Sequence, residues 1–226
     1  EMIHLHAGMA AFRRDQINAS ELRFDERLRQ GFEDAHFIAL YLLTLEKPEY
    51  TALPRANYYY LARESSITAQ PDYSKYLNLC RVAYSGLLDA AGASCPGWLG
   101  SLILYDIWWL FRQYTRMQST VFALNAEQQQ ELDASTRVIL QRVGLENVQS
   151  FRVVNTPLDV RAAWEAAALP TGESHVAVLR EFDPQRNLQK IAFHSTDATA
   201  SATVTLGNRE VAIAYRHARS ILFFET

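Results

Sequence analysis

Apolar residues recur at helical spacing through the first two thirds of the chain. Gly31 interrupts the first apolar run and predicts a bend or break there, whereas Gly92 and Gly144 stand where helices end. Asn125 and Gln128 form a capping-box pattern at a helix start. The pattern therefore predicts long helices over residues 20–46, 72–91, 98–123 and 125–143.

From residue 148 onward the period changes to the alternation of β-strands. Thr156-Pro157 interrupts this part and predicts a short helix through Trp164, with Thr156 as its N-cap. Gly207-Asn208 is typical of a two-residue hairpin turn. Strands are predicted over residues 148–154, 175–182, 188–194, 202–206, 211–216 and 220–224. The fold class is therefore α+β, with helices first and an antiparallel sheet last.

Composition narrows the range of functions. The chain has 226 residues, 49% hydrophobic and 21% charged, with a net charge of −3, which is typical of a globular protein. It lacks the basic excess of a nucleic-acid partner or a polybasic membrane anchor. The longest apolar stretch, residues 102–111, contains Asp106 and is too short to cross a bilayer. Residues 1–4 show no signal-peptide pattern, so none is predicted.

The chain has two cysteines, in different contexts. This number rules out a disulfide framework and a zinc site of the CxxC type. Cys80 lies in the apolar stripe of its predicted helix and is expected in the core. Cys95 precedes Pro96 at a predicted helix start, where unpaired backbone N–H groups lower a thiol pKa. Cys95 is therefore the candidate nucleophile.

Two histidines are candidates for the base that a thiolate requires. His175 opens one predicted strand and His194 closes the next. If the two strands pair through the turn at residues 183–187, both imidazoles come to the same end of the sheet. One imidazole then serves as the base and the other orients it, as a cysteine hydrolase needs.

Three short segments resemble the NlpC-type papain-like cell-wall peptidases. Residues 94–99, Ser-Cys-Pro-Gly-Trp-Leu, are similar to the start of that family's nucleophile helix. Residues 174–178, Ser-His-Val-Ala-Val, are similar to its base strand, and residues 191–195, Ile-Ala-Phe-His-Ser, to its next strand. The resemblance implies Cys95 as nucleophile, His175 as general base and His194 as the orienting residue.

The resemblance also implies an architecture and a substrate. Residues 93–226 would form the papain-like helix-plus-sheet core, with residues 1–92 as a helical extension or as part of one continuous domain. The expected activity is cleavage of an amide bond in peptidoglycan stem peptides or a related peptide, without a cofactor. A secreted antibacterial effector of this kind acts outside the cytoplasm and has an immunity or delivery protein as its partner.

Two other interpretations stay open. Glu33 and His36 have the spacing used in di-iron carboxylate bundles, but such bundles need two pairs and the sequence has one. His4-x-His6 is a further pair of imidazoles near a terminus, and no metal is predicted at either place. The second interpretation is a non-catalytic binding protein, in which a helical scaffold presents a sheet edge or face for recognition.

Overall fold

The fold is described from a computed structural model. It covers residues 6–28, 31–51, 53, 55–57, 59, 75–115, 124–171, 175–218 and 220–221, with side chains omitted at 113–115. After a short 3-10 helix, Ala7–Met9, the helices are α1 (Arg14–Ala19), α2 (Glu33–Leu43), α3 (Lys75–Asn78), α4 (Ser85–Ala91), α5 (Gly97–Thr115), α6 (Ala126–Val143), α7 (Leu145–Ser150) and α8 (Leu158–Ala168). The strands are β1 (His175–Asp183), β2 (Leu188–Ser195), β3 (Val204–Leu206) and β4 (Arg209–Val211). This order confirms the α+β class.

The predicted helix over residues 20–46 is wrong in its first half. Among the described residues of this range only α2 is helical, because Gly31 has a φ of +124° and Phe32 a φ of +69°, neither of which a right-handed helix allows. The Asp25 carboxylate accepts the Arg27 backbone N–H at 3.0 Å and fixes a turn in place of a helix. The break at Gly31 is thus confirmed, and the chain before it is irregular.

Residues 75–91 are helical throughout, but their hydrogen bonding changes midway. The π-helical segment Leu79–Tyr84 separates α3 from α4, and Ser85 Oγ donates to the Cys80 carbonyl oxygen at 2.8 Å. A π-helical segment inserts an additional residue in a helix and is frequent at functional sites. The periodicity of the sequence predicted the helix but not this segment. Gly92 ends α4 with a φ of +81°.

The capping box of α6 is confirmed. Asn125 Oδ1 accepts the Gln128 backbone N–H at 2.9 Å, and Gln128 Oε1 accepts the Asn125 backbone N–H at 3.0 Å. The prediction of a strand over residues 148–154 is wrong: Val148 lies in α7, Phe151 follows it directly, both are buried, and residues 151–154 are irregular. Thr156 does not cap α8: the N-cap position belongs to Pro157.

The strands form two antiparallel hairpins. β1 pairs with β2, with His175 opposite Ser195 and Val176 opposite His194, and a β-bulge interrupts the register between Leu179 and Phe182. β3 pairs with β4 across the Gly207 turn, as predicted. The predicted strand over 211–216 is wrong in its extent, because β4 covers Arg209–Val211 and residues 212–216 are not in a strand. Within the described residues the two hairpins are separate sheets. The predicted strand over 220–224 lies almost entirely outside the described residues.

One hydrophobic core joins the helices. It contains buried side chains from α2 to α8, among them Leu87, Ile103, Leu140 and Trp164. Because these residues come from both sides of position 92, the helical extension and the following segment share apolar packing. The domain division at residues 92 and 93 stays a prediction. Of the helices that the structure describes, none is both long and apolar enough to span a bilayer.

Candidate functional site

Cys95 is placed just before α5, but in an environment that disfavours a thiolate. The residue is half-buried against the core, and its Sγ donates weakly to the Pro96 carbonyl oxygen at 3.7 Å. Asn147 Nδ2 donates to the Cys95 carbonyl oxygen at 3.0 Å and ties this loop to α7. Burial raises the pKa of the Cys95 thiol to about 11, and attraction to Arg142 offsets only part of this. At neutral pH the sulfur is therefore a thiol, contrary to the expected lowering.

His175 and His194 reach the same end of the β1–β2 hairpin, as predicted, but on opposite faces. Residues opposite each other in an antiparallel pair share a face, so His194 lies with Val176 and His175 lies with Ser195. His175 Nδ1 and Ser195 Oγ are 2.9 Å apart and share a hydrogen bond. Within the described part of the chain, neither imidazole is hydrogen-bonded to Cys95. The three predicted site residues thus have separate neighbours.

The end of this hairpin carries a small polar cluster that the sequence did not indicate. Ser195 Oγ accepts the Asp197 backbone N–H at 3.0 Å, and Asp197 Oδ1 accepts the Thr199 hydroxyl at 2.7 Å. These bonds from Thr199 lower the pKa of Asp197, and attraction to His175 lowers it further. All four side chains lie at an open surface, so water screens their charges. The cluster is therefore best understood as the hydrogen-bonded turn that ends β2.

The two faces of the β1–β2 hairpin differ in exposure. Val176, Val178 and Ala192 are half-buried on the inner face, where β2 packs against α8. The outer face is apolar and exposed, with Leu179 70% and Phe182 55% accessible, beside Ile191 and Phe193. An exposed apolar patch of this kind is typical of a recognition surface and is compatible with the non-catalytic interpretation.

A second candidate site lies at the start of α2, in the segment that the sequence analysis considered only for metal binding. Gly31 and Phe32 both have positive φ, and Phe32 occupies the N-cap position without a side-chain cap. A bulky residue in the left-handed region is strained, and strain of this kind is concentrated at functional sites. The Phe32 carbonyl oxygen nevertheless accepts the His36 backbone N–H at 2.7 Å, so the strained turn leads directly into the helix.

Two buried polar atoms at this turn lack partners. Glu33 Oε2 and His36 Nδ1 are inaccessible to water and make no hydrogen bond to any described residue. His36 as a whole is 5% exposed. A buried polar atom without a partner costs about 1–3 kcal/mol, so a fold retains it only where something compensates. We define Gly31, Phe32, Glu33 and His36 as the turn site.

Burial keeps the imidazole of the turn site neutral. Burial lowers the pKa of His36, which attraction to Asp25 opposes and repulsion from Arg27 reinforces. Hydrogen bonds from Arg27, including Nε to Oδ1 at 2.9 Å, lower the pKa of Asp25 to about 2. Asp25 is therefore a permanent carboxylate above acidic pH, while His36 offers an uncharged ring nitrogen.

The described residues add no further metal ligands to Glu33 and His36. Among the described residues, no group of three or more His, Cys, Asp or Glu side chains is arranged to hold a metal ion. A carboxylate and an imidazole alone leave most coordination positions of a protein metal site to water. The pair is better suited to hydrogen bonding and proton transfer.

Comparisons with known proteins do not assign the chain to a family. No family model matches the sequence, and neither the curated proteins nor the solved structures include a significant match. The function must therefore be argued from the geometry of the site.

The sequence analysis missed most of the turn site but contained two signals of it. Gly31 within a helical run predicted a bend or break, and Glu33-x-x-His36 has the spacing of a ligand pair in di-iron carboxylate bundles. The positive φ of Phe32 and the lack of partners for both side chains had no signal in the sequence, because they depend on what packs around the turn.

Proposed function

We propose that the chain acts through the turn site as an acid–base enzyme on a small polar molecule. The Glu33 carboxylate serves as general base toward a hydroxyl or amine of the substrate, and the neutral His36 imidazole provides a further hydrogen-bonding nitrogen. The observation that carries this proposal is the pair of buried, unpartnered atoms, Glu33 Oε2 and His36 Nδ1.

The chemistry of the two groups favours a hydrogen-bond donor as the ligand. A carboxylate accepts only, and a neutral imidazole accepts at one nitrogen and donates at the other. Because Glu33 Oε2 is closed to water, the turn must open before a hydroxyl or amine can donate to it, supply the missing partner and lose its proton. A positioned general base contributes about 10²–10⁴-fold to a rate. The strain at Phe32 is then explained as the cost of orienting the first turn of α2 toward the substrate.

The first prediction concerns ligand binding at the turn site. Glycerol, ethanolamine and inositol, added to isotope-labelled protein, are expected to shift the NMR signals of the Glu33 carboxyl and the His36 ring in at least one case. Because a hydrogen bond to a charged group contributes about 1.5–3 kcal/mol, Glu33→Gln is expected to weaken that binding about tenfold or more.

Glu127→Gln is the matched control, because Glu127 also lies in the first turn of a helix but is exposed, on α6. This variant is expected to bind as the wild type does. If none of the three compounds moves the His36 signals, or if Glu33→Gln binds as tightly as Glu127→Gln, the acid–base assignment is wrong.

A papain-like cysteine hydrolase is the second candidate, favoured by one observation. The register of β1 and β2 sets His175 opposite Ser195, within hydrogen-bond distance, so an imidazole beside an orienting group is present at the expected strand end. In this proposal Cys95 attacks an amide of a peptide or peptidoglycan fragment and His175 transfers the proton. The resemblance implies His194 as the orienting residue, but His194 lies on the opposite face of the hairpin, so the Ser195 hydroxyl is the group beside the His175 ring. The effector role and an immunity or delivery partner belong to the same proposal.

The reactivity of Cys95 decides between the two candidates. With a pKa of about 11, the thiolate is a very small fraction at pH 7.5, so iodoacetamide is expected to alkylate Cys95 on the order of a hundredfold more slowly than free cysteine. The rate is expected to rise with pH up to about pH 11. Mass spectrometry of the alkylated peptides measures both cysteines, with buried Cys80, whose pKa is about 12, as the internal control. Fast alkylation of Cys95 at neutral pH would favour the hydrolase.

A further inference from the structure

The polar groups beneath the turn site form a connected set that the proposed function does not yet use. Tyr84, the last residue of the π-helical segment, is buried and donates its hydroxyl hydrogen to Asp106 Oδ2 on α5. The Tyr84 ring also packs edge-on against Phe32, with ring centroids 5.3 Å apart and planes at 88°. Asp106 is thereby linked to the strained N-cap residue through a single side chain.

A second link leads from Asp106 to the same turn by way of Lys75. Burial raises the pKa of Asp106, and the hydrogen bond from Tyr84 and attraction to the Lys75 ammonium offset only part of this rise. Lys75 Nζ lies 2.8 Å from the point that a Cβ on Gly31 would occupy. The ammonium therefore lies beside the Gly31 backbone and within electrostatic range of Asp106.

We infer that Asp106 is a positioning residue for the turn site: through Tyr84 it supports Phe32, and through Lys75 it supports Gly31. This inference rests on the proposed function of Glu33 and His36. The two contacts fall on consecutive residues, both with positive φ. A strained backbone persists only where its surroundings over-determine it, and the Tyr84 ring on Phe32 and the Lys75 ammonium beside Gly31 supply two such constraints. The π-helical segment is the element that brings Tyr84 under Phe32.

The test measures the order of the turn directly, by hydrogen exchange of the His36 amide, whose partner is the Phe32 carbonyl oxygen. Asp106→Asn retains the size and an acceptor for Tyr84 but removes the charge that holds Lys75. Exchange at His36 is expected to accelerate about tenfold or more in Asp106→Asn and in Lys75→Met, while the amides of α6 are unchanged. Lys75→Arg retains the charge and is expected to restore most of the protection.

Asp133→Asn is the matched control, because Asp133 pairs with Arg137 on the exposed side of α6 and has no link to the turn. The inference is overturned if His36 exchange is unchanged in Asp106→Asn, if the α6 amides accelerate equally, or if Lys75→Arg loses as much protection as Lys75→Met. If Asp106→Asn does not fold, Tyr84→Phe and Lys75→Met test the two links separately.

The outcomes separate this inference from the proposed function. If Glu33→Gln weakens binding while His36 exchange is unchanged in Asp106→Asn, Glu33 keeps its role as general base and Asp106 is not a positioning residue. If His36 exchange accelerates in Asp106→Asn while Glu33→Gln binds as the wild type does, Asp106 supports the turn but Glu33 is not a general base.

Discussion

Replacing Trp164 by alanine is expected to lower the free energy of unfolding by about 3–5 kcal/mol, the range for removing a buried aromatic side chain. Trp164 is 1% exposed and packs edge-on against Phe111, with ring centroids 5.7 Å apart, and at 6.0 Å from Phe151. These rings join α8, α5 and the segment after α7. Since β2 packs against α8, removing the Trp164 side chain is also expected to loosen the β1–β2 hairpin. Guanidinium unfolding followed by far-UV circular dichroism measures the change.

Trp164→Phe separates the effect of side-chain volume from the cost of burying the indole N–H at this position. Trp164 Nε1 is buried without a partner among the described residues, so the indole N–H already carries a desolvation cost. Phenylalanine removes that donor and retains a ring, and the expected loss is therefore about 1–2 kcal/mol. A loss in Trp164→Phe as large as in Trp164→Ala would show that the edge-on geometry, rather than burial, stabilises the junction.

Gly31→Ala is expected to lower the free energy of unfolding by about 2–3 kcal/mol and to disturb the turn site as well. The positive φ of +124° strains any residue with a Cβ, and the added methyl would stand 2.8 Å from Lys75 Nζ and 3.1 Å from its Cε. The lysine must therefore move away from Asp106 when the alanine is present. Thermal and guanidinium unfolding give the stability, and hydrogen exchange at His36 reports the turn.

Gly92→Ala is the control, because it introduces a Cβ at another positive φ but without a neighbour such as Lys75. Gly92 has a φ of +81°, and nothing lies within 4 Å of the point that its Cβ would occupy. The expected cost is about 1 kcal/mol, from the backbone alone. The difference between the two variants then measures the contact with Lys75. Equal costs in Gly31→Ala and Gly92→Ala would show that Lys75 moves aside freely and contributes nothing to the turn.

Local chemistry made several elements predictable. The capping box of Asn125 and Gln128, the helix ends at Gly92 and Gly144, and the Gly207 hairpin all depend on neighbouring residues within a few positions of each other. The pairing of β1 with β2 was also predictable, because alternation and a turn motif set the register of a hairpin. The Cys95, His175 and His194 site required contacts between distant segments, and local patterns carry no information about those.

The failures have the same physical origin. Residues 148–154 were predicted as a strand because short apolar runs fit a strand and a buried helix equally well, and packing against α5 and α8 selected the helix α7. The helix start just after Cys95 was correct in position, but the thiol pKa depends on burial by the surrounding core. A helix N-terminus seen in sequence therefore does not predict a thiolate.

The order of residues along this chain was sufficient to establish its α+β class, the capping box of α6 and its hairpins, since these depend on propensity, periodicity and turn chemistry over a few residues. Only the folded chain decided which polar groups lack partners, because burial and hydrogen bonding depend on segments far apart in sequence. Glu33 and His36 became a candidate site, and Asp106 its support, only once α2, the π-helical segment and α5 were packed together.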